Sequence, residues 1–193
     1  MIQRAFLVAT ALSAGLVACG QAESPPPATP AVEPAPAEAG PVACRSADLQ
    51  LATAGGDAGM GNRVAVLSVL NRGEGACQLV GYPTVTLADK TDRPLGSIEA
   101  RQHPGNYFSQ GGAFRPVVVQ PGARAYFDLA WNVIPHEGDG EVVCPIATTV
   151  RVAAPGDGAF AMLLMELTPC GGYIRVSPFR PTAEDEAPAS PAA

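Results

Sequence analysis

Between residues 124 and 131 the chain reads Arg124, Ala125, Tyr126, Phe127, Asp128, Leu129, Ala130, Trp131, with Ala125, Phe127, Leu129 and Trp131 on one parity. A period of two lines up one face of a β-strand, whereas a helix needs apolar residues three and four apart. The same alternation sets Val85 and Leu87 against Thr84, Thr86 and Ala88, and Thr148, Val150 and Val152 against Thr149, Arg151 and Ala153; Ile174 and Val176 repeat it once more. The run Val64, Ala65, Val66, Leu67, Ser68, Val69, Leu70 is apolar on both parities, as a central strand covered on two sides should be. Ala161 to Leu167 is apolar enough for a strand or a short helix, and Pro169 and Gly171 close it within strand length, which favours the strand. Turn residues separate these runs at Asn71 to Gly75, Asp89 to Pro94, Gln120 to Gly122 and Pro155 to Gly158, and no amphipathic helix interrupts them. The expected fold is all-β: an immunoglobulin-like antiparallel β-sandwich of about seven or eight strands. The glycine-rich stretch Gly55, Gly56, Asp57, Ala58, Gly59, Met60, Gly61 reads as a flexible connection between the first two strands, since the Lys and Ser/Thr of a phosphate-binding loop are missing.

Cysteine usage fixes the setting. Cys19 closes the run Leu16, Val17, Ala18, Cys19 after Arg4 and an apolar stretch from Ala5 to Ala18. That stretch is shorter than the roughly 18 to 20 residues that span a bilayer, and its small residues before the cut describe an export leader. It resembles bacterial lipoprotein signals, which implies removal of residues 1–18, acylation of Cys19 and attachment to a lipid bilayer. Such a protein faces the periplasm from the outer membrane of a diderm cell, or sits on the outer face of a plasma membrane otherwise. Cys44, Cys77, Cys144 and Cys170 then form an even set in an exported chain, the pattern of two disulfides. Of three pairings, Cys44 with Cys77 and Cys144 with Cys170 are favoured, because each pair brackets one stretch of strands. A four-thiolate zinc site would need the short C-x2-4-C spacing that these cysteines lack.

Composition divides the chain into four parts. Residues 1–18 are the leader, and residues 19–41 are a tether dominated by Pro, Ala and Glu that carries Pro25, Pro26, Pro27, Pro30, Pro34, Pro36 and Pro41. Polyproline geometry at about 3.1 Å per residue gives it a reach of roughly 70 Å. Residues 42–180 are the β-sandwich, and residues 181–193 are an acidic tail expected to be disordered. The formal charge is −6, and loss of Arg4 with the leader makes it one unit more negative. A negative field without a basic stripe repels phosphate backbones, so nucleic acid is not an expected partner.

No set of residues announces catalysis. There is no G-x-S-x-G, the thiols are committed to disulfides, and Ser68 falls inside a buried strand. The cluster His136, Glu137, Asp139, Glu141 matches neither a zinc helix nor an EF-hand and reads as a solvated acidic loop. It still supplies the acid and base of an alternative, an envelope hydrolase acting on glycan or peptide. A second alternative is periplasmic metal binding by His103 and His136, with Met162 or Met165 for a soft ion. No cofactor is expected. The preferred recognition surface is the loop carrying His103, Tyr107, Phe108 and Phe114, where aromatic rings sit among glycines. Its bland counterpart is that these rings cap the core. Asn71 suits a turn that tolerates positive φ, and Tyr82 before Pro83 suits an extended bend with its ring at the core edge.

These residues also form a pattern: Cys44-x-x-x-x-Leu49, then Val66 to Leu70 running into Asn71-x-Gly73, then Cys77-x-Leu79-x-Gly81-Tyr82-Pro83-x-Val85-x-Leu87, then Val119-x-Pro121-Gly122 before an alternating strand, with Cys144 and Cys170 late in the chain. The chain resembles the bacterial envelope family called domain of unknown function 4232 over most of residues 44–179. That resemblance implies a secreted or lipid-anchored β-sandwich with paired cysteines, and it brings no activity and no catalytic residue. The expected role is therefore that of a non-enzymatic, lipid-anchored envelope protein that displays its sandwich to another envelope protein or a wall polymer.

Overall fold

The computed structural model describes residues 40–111 and 114–183. Cys19, nearly all of the tether and the tail from residue 184 onward lie outside the described residues.

Among the described residues eleven strands form three sheets. The largest has the order β2-β3-β8-β11-β6, from β2 (Leu49–Gly59), β3 (Asn62–Asn71), β8 (Arg124–Asn132), β11 (Cys170–Val176) and β6 (Glu99–Gln102). A second runs β10-β9-β5, from β10 (Ala161–Leu167), β9 (Ala147–Ala153) and β5 (Thr84–Ala88). The third is β1-β4-β7, from β1 (Val42–Ala43), β4 (Cys77–Leu79) and β7 (Val117–Val119). The all-β sandwich is as the alternation requires, with more strands than the seven or eight expected. The surplus consists of short strands such as β1 and β6, which also make the two parallel pairings, β1 with β4 and β6 with β11.

A single core joins the sheets. Leu67, Val69, Phe127, Leu129, Ile174 and Val176 from the five-stranded sheet meet Val85, Leu87, Val150 and Val152 from the second and Leu79 and Val119 from the third. The phase is set by the pairing of β3 with β8, in which Leu67 lies opposite Phe127 and Ala65 opposite Leu129, so their inward faces coincide. Both disulfides join the expected partners, Cys44 to Cys77 and Cys144 to Cys170, across 33 and 26 residues of chain. By chain-entropy arguments each loop of that size stabilises the fold by about 3.5 kcal/mol.

Two local expectations are corrected. The stretch from Gly55 to Gly59 is strand rather than flexible connection, paired residue by residue with Val66 to Asn62. Backbone bonding holds it there, and glycine is needed because a Cβ on Gly56 would stand 2.6 Å from the Val64 carbonyl oxygen. The connection shrinks to Met60 and Gly61, both with positive φ (47° and 80°), the backbone of a two-residue hairpin turn whose twist matches its strands. Asn71 orders its turn as expected but by a different route. It is fully buried, its side-chain amide donates to the carbonyls of Gly75 and Val119, and its Oδ1 accepts the Gly73 N–H. Its φ is not among the positive ones.

Candidate functional site

The outer face of the five-stranded sheet is not left to water. On β8, Asp128 points away from Phe127 and Leu129, yet it is only 3% exposed. Its Oδ1 accepts from Arg180 Nη2 at 2.6 Å, its Oδ2 accepts from Asn106 Nδ2 at 2.7 Å, and its backbone N–H donates to Ser177 Oγ. A buried carboxylate persists when its charge is paired and its lone pairs are occupied, as here. The Asn106 bond also brings the loop after β6 down onto the sheet.

That loop is shaped by its own polar atoms. The His103 N–H continues the ladder by donating to the Val176 carbonyl, and His103 Nδ1 lies 2.8 Å from the Gly105 carbonyl oxygen. Asn106 Oδ1 accepts the N–H groups of Phe108 and Ser109 at 2.7 and 3.0 Å. The loop closes on itself where Gly105 and Gly111 meet, with no room for a Cβ on either. Tyr107 and Phe108 meet edge to face, with centroids 5.3 Å apart. The Phe108 ring lies over Gly59, 3.3 Å from where a Cβ would be, and the Tyr107 hydroxyl reaches Met60 Sδ at 3.6 Å. Phe114 stands apart from them, half-exposed, edge-on to Tyr82 at 6.3 Å.

The second loop, after β8, is pinned by Glu141. Its carboxylate accepts the His136 N–H at 2.9 Å and the Gly171 N–H at 2.9 and 3.1 Å. Those two backbone donors, His136 first, and the nearby His136 ring hold the Glu141 carboxyl below the usual carboxylate range. The His136 ring occupies the space a side chain on Gly171 would fill, 2.7 Å from its ideal Cβ. Gly171 and Gly172 both have positive φ, and the β8–β11 register shifts between Cys170 and Arg175. The solvated acidic loop exposes Glu137 and is tied down at Glu141. Glu141 also lies within 4.8 Å of the Cys144 and Cys170 sulfurs, but those are joined as a disulfide and are not free ligands.

The two loops converge. A cavity of about 90 Å³ opens at the Asn62 and Asn132 end of the sheet, lined by Asn62, Arg63, Tyr107, Ala130, Trp131, Asn132, His136, Tyr173 and Arg175. By register Asn62, Ala130, Asn132, Tyr173 and Arg175 share the face opposite the core. Two guanidinium groups approach the Tyr173 ring, Arg101 at 4.3 Å and Arg175 at 5.9 Å from its centroid. Among the described residues no carboxylate lines this cavity and none pairs with Arg63 or Arg175. Trp131 Nε1 is buried and has no hydrogen-bond partner among the described residues.

Of the four residues expected on the recognition loop, Tyr107 reaches this cavity, Phe108 braces the loop against β2, and His103 and Phe114 are elsewhere. His103 sits beside Val176 and His136 beside Gly171, about 16 Å apart along a strand of that length, too far to share a metal ion. Met162 and Met165 lie on opposite faces of β10, with Met162 exposed and Met165 against the core. Sequence reasoning passed over Arg63, Trp131, Tyr173 and Arg175. Tyr173 and Arg175 share the parity of β11 that faces away from the core, whereas Arg63 and Trp131 carry the core parity of their strands, so the alternation alone does not group them.

No curated protein and no solved structure matches this chain. Residues 44–180, well over half of its length, match the family described as Domain of unknown function (DUF4232). With the disulfide-braced sandwich and the Cys77-x-Leu79-x-Gly81-Tyr82-Pro83 block in place, the chain belongs to the DUF4232 family.

Proposed function

We propose that this protein is a non-enzymatic binding module of the cell envelope, held at a membrane through acylated Cys19 and displaying its sandwich on the tether of residues 19–41. The observation that carries the reading is the convergence of the Tyr107 and His136 loops on one cavity lined by arginine, asparagine and aromatic side chains. Small concave sites with a few converging polar groups are where folds of this kind take ligands. The Glu141 carboxylate, which pins the His136 loop, accepts from two backbone N–H groups, which suits a structural brace better than an acid or base. No helix among the described residues is long and apolar enough to cross a membrane, so attachment is assigned to the acyl group.

The proposal has two parts and two tests. Intact mass of the membrane-extracted protein should show loss of residues 1–18 and addition of acyl chains, and Cys19→Ala should release the chain from membranes. Capture from envelope fractions on the immobilised full chain should recover a defined protein or wall polymer, and Tyr107→Ala should lose it. Repeated capture of nothing specific would overturn the binding role, and a Cys19→Ala chain still held by membranes would overturn the anchor.

A further inference from the structure

A sheet that does not close on itself ends in strands whose outer N–H and C=O groups can pair with another chain, and folds usually guard such edges. Most edges here are guarded. On β5 the Leu95 N–H donates to the Leu87 carbonyl at 2.8 Å and Ala88 bridges Pro94, so the following loop covers the strand. β6 is four residues long and presents the charges of Glu99 and Arg101. β2 shifts register between Thr53 and Gly55, and its Asp57 carboxylate takes up the Ala58 N–H. β1 and β7 have only two and three residues.

β10 has none of these devices over its first half. It is the outermost strand of its sheet, and among the described residues its backbone pairs with β9 alone. It reads Ala161, Met162, Leu163, Leu164, Met165, Glu166, Leu167, with no proline and one charge. Leu164 is 85% exposed and Met162 63%, and no other strand among the described residues leaves two large apolar side chains in water. Both stand on the face turned from the core, while Leu163 and Met165 pack against it. The strand stays in register with β9 from Ala161 to Leu164 and shifts only beyond that point. A straight apolar edge of this kind is a template for one more strand.

The segments of this chain outside the sandwich do not fit the template. The tether carries Pro25, Pro26, Pro27, Pro30, Pro34, Pro36 and Pro41, and proline has no N–H to give a ladder. The tail follows Pro181 with Thr182, Ala183, Glu184, Asp185 and Glu186, which offer no large apolar side chain to Met162 and Leu164. β10 itself does fit.

We propose that β10 pairs antiparallel with β10 of a second copy of this chain, about a two-fold axis at Leu163, joining two three-stranded sheets into one of six strands. Met162 of each copy then stands opposite Leu164 of the other on the outer face, and the two Leu163 side chains meet on the inner one. Glu166 falls opposite Phe160 of the other copy, so no like charges oppose. The contact uses the same edge twice, which consumes both open edges and closes the assembly at two chains. Such a pair carries two of the cavities described above, and its formation does not depend on what they bind.

Sedimentation of the full chain over a concentration series, in detergent matched in density to the buffer, should give the protein mass of two chains. Leu164→Lys puts a charge on the edge, and it should raise the dissociation constant by about tenfold or more. Because Leu164 already faces water, the variant should fold like the parent, which circular dichroism checks; Met162→Lys serves as the second variant. The register has its own test. Residues directly opposite lie about 4.5 to 5.5 Å apart at Cα, within disulfide reach, and diagonal ones about 7 to 8 Å apart. A mixture of Met162→Cys and Leu164→Cys chains should therefore cross-link between positions 162 and 164 on mild oxidation, identified by the mass of the linked peptides, while either variant alone should cross-link far less. A single-chain mass for the parent at every concentration overturns the proposal. So does a two-chain mass that neither lysine variant disturbs, because the contact then lies elsewhere. Equal cross-linking by either cysteine variant alone overturns the axis at Leu163. A parent that is monomeric yet captures a different envelope protein, with the capture lost in Leu164→Lys, overturns the second copy in favour of a foreign strand.

Discussion

Phe127 and Asp128 are neighbours on β8, and the two faces of the five-stranded sheet they serve are stabilised in different ways. Phe127 is completely buried among Leu67, Leu129 and Phe179, the last ring edge-on at 5.5 Å. Asp128 is almost as buried, but in a polar knot with Arg180, Asn106 and Ser177. The inner face gains from apolar area removed from water, which any side chain of the right size supplies. The outer face depends on particular donors meeting a particular acceptor, and that specificity fixes where the Tyr107 loop lies. Apolar packing therefore makes the sandwich, and polar burial on its back places the site.

The largest effect should come from breaking the inner face. Phe127→Ala removes a ring from a core of interlocked sheets, and we expect a loss of about 4 kcal/mol in denaturant unfolding, the usual cost of such a cavity. On the outer face, Asp128→Ala should cost about 3 kcal/mol, because it leaves Arg180 buried without its counter-charge. The two variants differ in kind. Phe127→Ala should lower stability with the loop still docked in the folded fraction. Asp128→Ala should also release the Asn106 anchor, seen as faster amide exchange over residues 103–111 at temperatures where the sandwich is intact. A docked loop in Asp128→Ala would break the comparison.

The inner face was legible because a strand with one buried side writes its phase into every second residue. β8, β5 and β9 follow from Phe127 and Leu129, Val85 and Leu87, and Val150 and Val152. The outer additions were not legible for the same reason. β6 reads Glu99, Ala100, Arg101, Gln102, all exposed, and is held by parallel backbone pairing to β11. The second half of β2 reads Gly55 to Gly59 and is held likewise by β3. Backbone hydrogen bonds leave no apolar pattern, and the Asp128, Asn106 and Arg180 contact joins residues 22 and 52 positions apart. Nothing local in the sequence points from one to the others. The disulfide pairing could be reached from bracketing alone, and the cavity could not, because its lining comes from β3, β8, β11 and two loops.

Acid separates apolar from polar stabilisation. Asp157 closes the end of the sandwich: its Oδ2 accepts the Ser46 N–H at 2.6 Å, while Ser46 Oγ accepts the N–H of Ala154. The Ser46 N–H, then the Ala159 N–H and the Ser46 hydroxyl, hold its carboxyl down at about 2. A carboxyl whose pKa is lower in the folded state contributes stability that is complete above the ordinary carboxylate range and is lost as pH falls from about 4 towards about 2. Asp157→Asn should therefore melt below the parent at pH 6, and the gap should close by about pH 2. Phe127→Ala should keep its deficit over the same range, since no proton is linked to an apolar contact. A gap that stays constant with pH in Asp157→Asn would remove Asp157 from the titrating contacts.

The smallest effect on stability, and the sharpest test of the comparison, is expected at Tyr107. Tyr107 is 51% exposed, its ring touches Phe108, and among the described residues its hydroxyl reaches the exposed Met60 sulfur. The backbone around it is held by Asn106 rather than by the ring, so Tyr107→Ala should shift unfolding by no more than about 0.5 kcal/mol. The same change strips one wall from the cavity that Asn132, Tyr173 and Arg175 also line. A residue that contributes little to folding but lines the site should show its effect in capture of envelope material. Asn106→Ala gives the complementary result: it keeps the ring but loses the tether to Asp128, and it should weaken capture through loop mobility, with faster exchange over residues 103–111 as the marker. If Tyr107→Ala instead costs as much stability as a core residue, the ring belongs to the packing of the outer face, and the division between a fold-making face and a site-placing face fails at the residue where it should be clearest.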